Sequence, residues 1–199
     1  HNELKSYIKG VITNFANDER VIAWDLYNEP DNVANQPDRI KIEVKDKYIF
    51  SFALLKKVMH WAREVNPSQP LTVGLWKGDH TLWGNPGALR PLERFMVENS
   101  DVISFHSYNG PEITKEKIEA LKKYNRPIIC TEYLARTHGS TFESILPIFK
   151  SNQIHAINWG FVSGKTNTIF PWISWVKRFD SMPKIWHHDI YRTNKTPFS

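Results

Sequence analysis

Five short runs of strand-forming residues alternate along the chain with stretches whose apolar residues recur at helical spacing. This alternation restricts the fold more than any other feature, because a strand, a helix and a second strand in that order form a right-handed unit with parallel strands. The predicted strands are residues 21–27, 71–76, 101–107, 128–132 and 155–161. We therefore expect an α/β fold with a parallel sheet, in a single domain that no low-complexity linker divides.

The predicted helices fill the intervals between these strands. The longest, 47–65, repeats apolar residues every three or four positions. Asn66-Pro67 ends it, because a residue that precedes proline is driven out of the helical region. A polar loop is predicted at 31–38. The other predicted helices are 3–16, 89–97, 114–124, 140–152 and 171–179.

One stretch, Trp24 to Pro30, ends the first predicted strand with Asn28 and Glu29 immediately before a proline. Residues Val21 to Trp24 have the composition of a buried strand. Pro30 has no N–H group for a ladder, so strand pairing should stop near Glu29. Sites in parallel α/β barrels are built at the carboxyl ends of the strands. Glu29 is therefore a candidate site residue.

Residues that carry chemistry also end the later strands. Alternation along a strand places His106 and Tyr108 on one face of the third strand, and Cys130 and Glu132 on one face of the fourth. Two carboxyl groups that meet at such a rim, one protonated and one ionised, are what glycosidic cleavage requires. The strand-end residues besides Glu29 are Trp76, His106, Tyr108, Glu132 and Trp159.

Charge and composition argue against other classes of function. The 26 Lys and Arg residues exceed the 21 Asp and Glu residues, but they are scattered and form no basic stripe, so we expect no nucleic-acid partner. No apolar run approaches the roughly 18 residues of a membrane span, and we expect none. The chain contains neither a glycine-rich phosphate loop nor the Gly-x-Ser-x-Gly elbow of serine hydrolases.

Metal chemistry is also disfavoured by the sequence. The single cysteine, Cys130, excludes an internal disulfide and a cysteine-rich metal site, and we expect it to be a small buried hydrophobe. His187, His188 and Asp189 are adjacent, so their side chains should point in different directions, and no third ligand is spaced to meet them. We interpret this triplet as part of a solvated tail and predict neither a metal site nor a cofactor.

Together, Trp24 to Pro30, His106-Ser107-Tyr108, Thr131-Glu132-Tyr133 and Trp159 resemble the clan A glycoside hydrolases, especially the family 5 cellulase-like group. The resemblance implies a (β/α)8 TIM barrel that hydrolyses β-glycosidic bonds of polysaccharides or oligosaccharides with retention and without a cofactor. In that clan an Asn-Glu pair ends strand 4 and a nucleophilic Glu ends strand 7. Numbering the first strand here as strand 4 places Glu132 on strand 7.

The resemblance implies a role for each polar residue at the rim. Glu29 would be the acid/base and Glu132 the nucleophile. Asn28 would hydrogen-bond the sugar 2-hydroxyl, a contact that strengthens in the transition state. Tyr108 would donate a hydrogen bond that favours the ionised form of Glu132, and His106 would line the subsite at the cleavage point.

Aromatic residues at the rim are candidates for stacking on sugar rings. The resemblance implies that Trp159 forms the floor beneath the sugar at the cleavage point, and Trp76, Trp83 and Tyr133 are candidates for outer subsites. The alternative for Trp159 is packing between barrel and helix, and the alternative for His106 is a hydrogen-bonded histidine of the core. The tryptophans that we expect in the core are Trp24, Trp61, Trp172, Trp175 and Trp186.

The resemblance also implies that the chain covers only strands 4 to 8, as the carboxyl-terminal portion of one catalytic domain at residues 1–199. Strands 4 and 8 would then be bare edges with unpaired backbone groups. We expect the amino-terminal half of the barrel, or a second copy of the chain, to cover them, and we expect a secreted or periplasmic location. The alternative function is a non-catalytic carbohydrate-binding barrel protein, or an inactive fragment.

Overall fold

The computed structural model describes residues 1–34 and 37–198, and strands alternate with helices along them. The helices are α1 (Asn2–Phe15), α2 (Pro37–Ile40), α3 (Lys47–Val65), α4 (Pro91–Asn99), α5 (Pro111–Lys122) and α6 (Phe142–Ser151). The strands are β1 (Trp24–Asp25), β2 (Leu71–Thr72), β3 (Ile103–His106), β4 (Ile128–Tyr133) and β5 (His155–Asn158). The predicted α/β alternation is therefore confirmed. Of the predicted loop 31–38, Asn35 and Gln36 lie outside the described residues.

All five strands run parallel and lie side by side in chain order. β1 pairs with β2, and β3, β4 and β5 form a second ladder. Leu75, just beyond β2, bridges to Phe105 in β3, and its carbonyl accepts a hydrogen bond of 2.8 Å from the His106 N–H. The two ladders therefore join, and the carboxyl ends of all five strands lie along one rim.

The hydrophobic core lies between this sheet and the helices. Leu55 of α3, Leu121 of α5 and Phe149 of α6 are buried against Leu71 and Phe105 of the strands. The Phe105 and Phe149 rings meet edge to face with centroids 6.4 Å apart, a favoured aromatic geometry. Within the described part of the chain, no helix is both long enough and apolar enough to cross a membrane.

The first strand is shorter and less buried than the sequence predicts. Only Trp24 and Asp25 pair as a strand, with one further hydrogen bond of 3.0 Å from the Leu26 N–H to the Thr72 carbonyl. Ile22 is 82% exposed, so the prediction of a buried strand from Val21 onward is wrong there. The reason is that, among the described residues, β1 has a strand neighbour on one side only.

The carboxyl-terminal third contains the largest difference from prediction. The predicted helix 171–179 is wrong, because the chain forms only a 3-10 turn at Trp172–Trp175 after Pro171. The predicted solvated tail is also wrong, because His187, His188 and Asp189 are all buried. The Thr168 hydroxyl donates to the Asp189 carboxylate at 2.8 Å, and the Nδ1 atoms of the two histidines bond to Thr137 and Leu134. Among the described residues, the buried Nε2 atoms of His187 and His188 have no hydrogen-bond partner.

This buried segment packs directly against Gly160, which follows β5. Gly160 has a φ of +84°, and a Cβ there would lie 2.7 Å from the His188 Cβ and 2.9 Å from the Asp189 Oδ1. Gly78 has a similar φ of +91° but no atom within 4 Å of a Cβ position. The two glycines therefore share the same backbone requirement and differ in packing.

We predict that Gly160→Ala is less stable than Gly78→Ala. Both substitutions carry the left-handed backbone cost of ~1–2 kcal/mol, and only the first adds an overpacking cost of about 1–3 kcal/mol. Urea unfolding of the two variants measures the difference. Equal unfolding midpoints with equal slopes would contradict the packing of residues 188 and 189 on Gly160.

Candidate active site

The rim brings together three titratable side chains that the sequence places far apart. His106 is the last residue of β3, Glu132 lies in β4, and Glu29 lies in a bend four residues after β1. Glu29 has a φ of +42°, a left-handed conformation that is uncommon for residues other than glycine. The bend after β1 therefore turns at the residue whose carboxyl group enters the site.

The two carboxyl groups face each other across His106. Its Nδ1 atom lies 2.8 Å from Glu29 Oε1 and 3.4 Å from Glu132 Oε2. One oxygen from each carboxyl group and one ring nitrogen of His106 all lie within 4.8 Å of one another. The side chain of Glu29 is 12% exposed, that of His106 is 3% exposed, and that of Glu132 is 11% exposed. The pair is therefore close, mostly shielded from water and bridged by an imidazole.

Each carboxyl group also accepts a hydrogen bond from its own donor. The Asn32 amide donates to Glu29 Oε2 at 2.5 Å, and the Tyr108 hydroxyl donates to Glu132 Oε2 at 2.6 Å. The bond from Tyr108 is the one that the sequence analysis predicts. The bond from Tyr108 favours the charged form of Glu132.

Burial and hydrogen bonding act in opposite directions on Glu132. Burial raises the pKa of Glu132, whereas the charge of His106 and the hydrogen bond from Tyr108 lower it, and the net shift is upward. Burial, followed by the adjacent Glu132 carboxylate, raises the pKa of Tyr108. Tyr108 therefore keeps its proton and remains the donor over the ordinary pH range.

A lysine that is absent from the predicted site residues hydrogen-bonds to the end of β3. Lys117 of α5 is buried, and its Nζ donates to the His106 carbonyl at 3.1 Å and to the Asn109 side-chain oxygen at 2.8 Å. Helical spacing could have indicated that Lys117 is buried, because Lys117 shares a helix face with Thr114 and Leu121, which are both buried. On the other side of His106, a Cβ at Gly74 would lie 3.3 Å from Nε2, so only glycine leaves the ring its full space.

The cleft beside Glu29 contains an aromatic residue that the prediction places elsewhere. Asn28, Glu29 and Trp175 line a cleft of about 430 Å³. Trp175 is 55% exposed, so its prediction as a core residue is wrong. The 3-10 turn after Pro171 carries Trp175 out to this cleft, whereas a helix over 171–179 would have set a different spacing. Asn28 is exposed at the position that the sequence predicts.

The other predicted rim aromatics differ in accessibility. Trp159, 45% exposed, lines a neighbouring groove with Asn158 and Phe161. Trp76 is half-buried, and its Nε1 donates to Asp31 Oδ1 at 3.0 Å, which fixes the loop that follows Glu29. Trp159 therefore offers a ring face to a ligand, while Trp76 also supports the loop.

The structure contradicts the outer-subsite interpretation of Trp83 and Tyr133. Trp83 is 1% exposed and donates from Nε1 to the Lys77 carbonyl. Tyr133 is 3% exposed, and its ring packs edge to face against Phe142 and Phe149. Alternation along β4 turns Tyr133 away from the face of Glu132 and toward α6, so neither ring is free to stack on a sugar.

The remaining predicted core tryptophans separate into three groups. Trp61 and Trp186 are buried, as predicted. Trp24 is half-buried and donates from Nε1 to the Gln69 side chain at 3.1 Å. Trp172, also half-buried, packs edge to face on Tyr108 with centroids 5.0 Å apart. Trp172 therefore contacts a site residue that sequence reasoning did not connect to it.

Two buried histidines complete the packing behind Tyr108. The His188 ring lies 5.4 Å from the Tyr108 ring, and the His187 ring lies 4.7 Å from the Trp172 ring. Burial lowers the pKa of both histidines, that of His187 to about 3. Neutral imidazoles therefore back Tyr108 at neutral pH. Their adjacency is visible in the sequence, but their position depends on contacts with residues some 50 positions earlier, such as Leu134 and Thr137.

Lys117 generates a prediction about stability. Burial lowers the pKa of Lys117 from an ordinary 10.5 to about 8. Between these two values the unfolded chain binds the proton and the folded chain does not, so stability should rise with pH by up to about 3 kcal/mol from this residue. We predict that Lys117→Met removes this rise, and that Lys115→Met, at an exposed position on the same helix, keeps it.

Urea unfolding at pH 7.5 and pH 10 measures both variants against the natural protein. Comparing the changes between the two pH values cancels all other titrating groups. A pH dependence in Lys117→Met that equals that of Lys115→Met would contradict a buried lysine beneath His106.

Comparison with families supports the chemistry that the rim suggests. The model of the family described as Cellulase (glycosyl hydrolase family 5) matches residues 1–164. No match was found among curated proteins.

Solved structures give a similarity of fold. A glycosylated endo-beta-1,4-xylanase of glycoside hydrolase family 10 from Gloeophyllum trabeum matches 98% of this chain and 63% of its own, with a TM-score of 0.50 and 15% identity. This chain therefore spans 63% of the length of that xylanase, and it matches part of a TIM-barrel glycoside hydrolase. The protein N2152 from Neocallimastix frontalis matches 76% of this chain and 40% of its own, with a TM-score of 0.39 and 17% identity.

Proposed function

Because the chain belongs to glycosyl hydrolase family 5, we propose that it hydrolyses β-glycosidic bonds in polysaccharides or oligosaccharides by a retaining, double-displacement mechanism. The observation that carries the proposal is the facing pair Glu29 and Glu132, with one oxygen of each within 4.8 Å of the other. Carboxyl groups about 5–5.5 Å apart belong to retaining enzymes, whereas inverting enzymes separate them by about 6.5–9.5 Å to admit a water molecule. The short separation supports retention.

In the first step Glu132 attacks the anomeric carbon while Glu29 protonates the departing glycosidic oxygen. The bond to the leaving group breaks as the bond to Glu132 forms, which gives a glycosyl-enzyme. In the second step Glu29, now ionised, takes a proton from water, and the water oxygen displaces Glu132 from the anomeric carbon. Both residues return to their starting protonation states, so the cycle requires no cofactor.

Neighbouring residues prepare this pair for the two steps. Tyr108 donates to Glu132 and aims one carboxyl oxygen, which leaves the other to attack. His106 Nδ1 lies between the two carboxyl groups and contacts both of them. Asn28, exposed in the cleft beside Glu29, is placed to hydrogen-bond the sugar 2-hydroxyl.

The proposed sugar-binding surface combines predicted and newly identified aromatic residues. Trp159 offers an exposed ring near the end of β5, and Trp175 offers one beside Glu29. Aromatic faces stack on the apolar faces of sugar rings. We propose that these two tryptophans bind sugar units on different sides of the cleavage point, with Trp76 in a supporting position.

The two catalytic roles predict different responses to the leaving group. With an alkyl or sugar leaving group, Glu29→Gln should lower the rate of hydrolysis by about 10²- to 10⁴-fold, the usual contribution of general acid catalysis. With a dinitrophenyl leaving group, which departs without protonation, its first step should be nearly normal. Glu132→Gln should abolish the first step for both. Pre-steady-state release of dinitrophenol by the intact protein measures this difference.

Glu119→Gln, on the exposed face of α5, is the matched control and should behave as the natural protein. If Glu132→Gln retained normal turnover, the nucleophile assignment would be wrong. If the natural protein also bound oligosaccharides without cleaving any, a non-catalytic carbohydrate-binding barrel would be the better description.

Tyr108→Phe should change the pH dependence of hydrolysis. The variant removes a hydrogen bond to ionised Glu132, so the pKa of Glu132 should rise above its already raised value. The acid limb of kcat/KM should then move to higher pH by about one to two units, because a hydrogen bond to a charged group contributes about 1.5–3 kcal/mol. Tyr7→Phe, at an exposed position on α1, is the control. An unmoved acid limb in Tyr108→Phe would show that Tyr108 does not stabilise the ionised nucleophile.

A further inference from the structure

The rim also has the donor set of a transition-metal site. One carboxylate oxygen of Glu29, one ring nitrogen of His106 and one carboxylate oxygen of Glu132 lie within 4.8 Å of one another. Ligands bound tetrahedrally at about 2.0–2.1 Å from a zinc ion lie roughly 3.3 Å apart. The His106 to Glu132 distance of 3.4 Å already has this value, and the His106 to Glu29 distance of 2.8 Å is somewhat shorter.

We propose that Glu29, His106 and Glu132 form a regulatory binding site for a divalent ion of the Zn²⁺ or Cu²⁺ class, and that the bound ion switches hydrolysis off. This inference rests on the proposed function for its regulatory part, whereas ion binding itself requires only the three side chains.

The chemistry of the donors selects the class of ion. An imidazole nitrogen with two carboxylates suits zinc and copper, whereas Mg²⁺ and Ca²⁺ prefer six or more oxygen ligands. The three side chains are largely buried, and their mutual contacts hold them together without the ion.

The same donors explain why the ion would inhibit. An ion on Glu29 Oε1 withdraws the oxygen that must carry a proton to the leaving group. An ion on Glu132 Oε2 neutralises the carboxylate that must attack the anomeric carbon. Since both groups are engaged at once, inhibition should be competitive with the substrate and reversed by a chelator.

Other histidines in the chain provide matched controls. His60 pairs with Glu64 at 3.4 Å, and His80 pairs with Glu116 at 2.8 Å. Each is a histidine-carboxylate pair near the surface, with one carboxylate where the rim has two. His60→Gln and His80→Gln therefore remove a comparable imidazole while leaving the rim intact.

The test is isothermal titration of the chelator-treated intact protein with ZnCl₂, without substrate. We expect one Zn²⁺ per chain, with affinity reduced at least tenfold in His106→Gln and unchanged in His60→Gln and His80→Gln. Glu29→Gln, which keeps the side-chain shape, should also weaken binding, and it serves if His106→Gln fails to fold. MgCl₂ should give no binding at the same concentrations.

The outcomes separate ion binding from hydrolysis. Unchanged Zn²⁺ affinity in both His106→Gln and Glu29→Gln, or loss of affinity in His80→Gln instead, would overturn the site. Binding at the rim without inhibition of measurable hydrolysis would overturn the regulatory part. If no glycoside were cleaved, the proposed function would fail while the titration still tested the ion site.

Discussion

The repulsion between Glu29 and Glu132 is the constraint that the rim must satisfy. One oxygen of each carboxyl group lies within 4.8 Å of the other, and two unit charges about 5 Å apart repel by roughly 3 kcal/mol at an effective protein dielectric constant of about 20. His106 lies between them, and Asn32 and Tyr108 each donate to one carboxyl group. The positions of these donors therefore decide whether two acids can be held close enough for chemistry.

The positions of His106 and Tyr108 in turn depend on backbone and side-chain groups packed around them. His106 is fixed by its N–H bond to Leu75, by Lys117 on its carbonyl, and by the absence of a side chain at Gly74. Tyr108 is fixed by Trp172 and His188, which reach it from the other end of the chain. The geometry of the site therefore depends on the order of the strands and on the residues packed around His106 and Tyr108, as well as on the types of the site residues.

Sequence reasoning predicts which side chains meet at the rim, because strand ends carry a local signal. Glu29, His106, Tyr108 and Glu132 each follow an apolar run, and parallel strands bring such positions to one rim. It fails in the last fifth of the chain, where residues 160–198 have little regular periodicity. Trp172, Trp175 and the two adjacent histidines are positioned there by contacts between distant segments, which no local pattern encodes.

The error at Tyr133 has a different physical origin. The alternation that places Cys130 and Glu132 on one face also places Tyr133 on the other, so the sequence contained the information that its ring faces α6. Proximity to Glu132 in the chain is therefore a poor guide to proximity in the candidate site. The error at Trp83 arises because a tryptophan in a loop can be either buried or exposed. Its tertiary contacts, which the local sequence does not encode, determine which of the two occurs.

The raised pKa of Glu132 shows how burial and catalysis are balanced at this rim. In the proposed mechanism, burial of Glu132 would keep water away from the anomeric carbon. Burial also raises the pKa of Glu132, and a protonated carboxyl group could not attack that carbon. Adding donors restores the charged form, yet a carboxylate bonded too firmly is a weaker nucleophile. The hydrogen bond from Tyr108 and the longer contact from His106 both fall on Oε2 and both favour the charged form of Glu132, which in the proposed mechanism would leave Oε1 to attack.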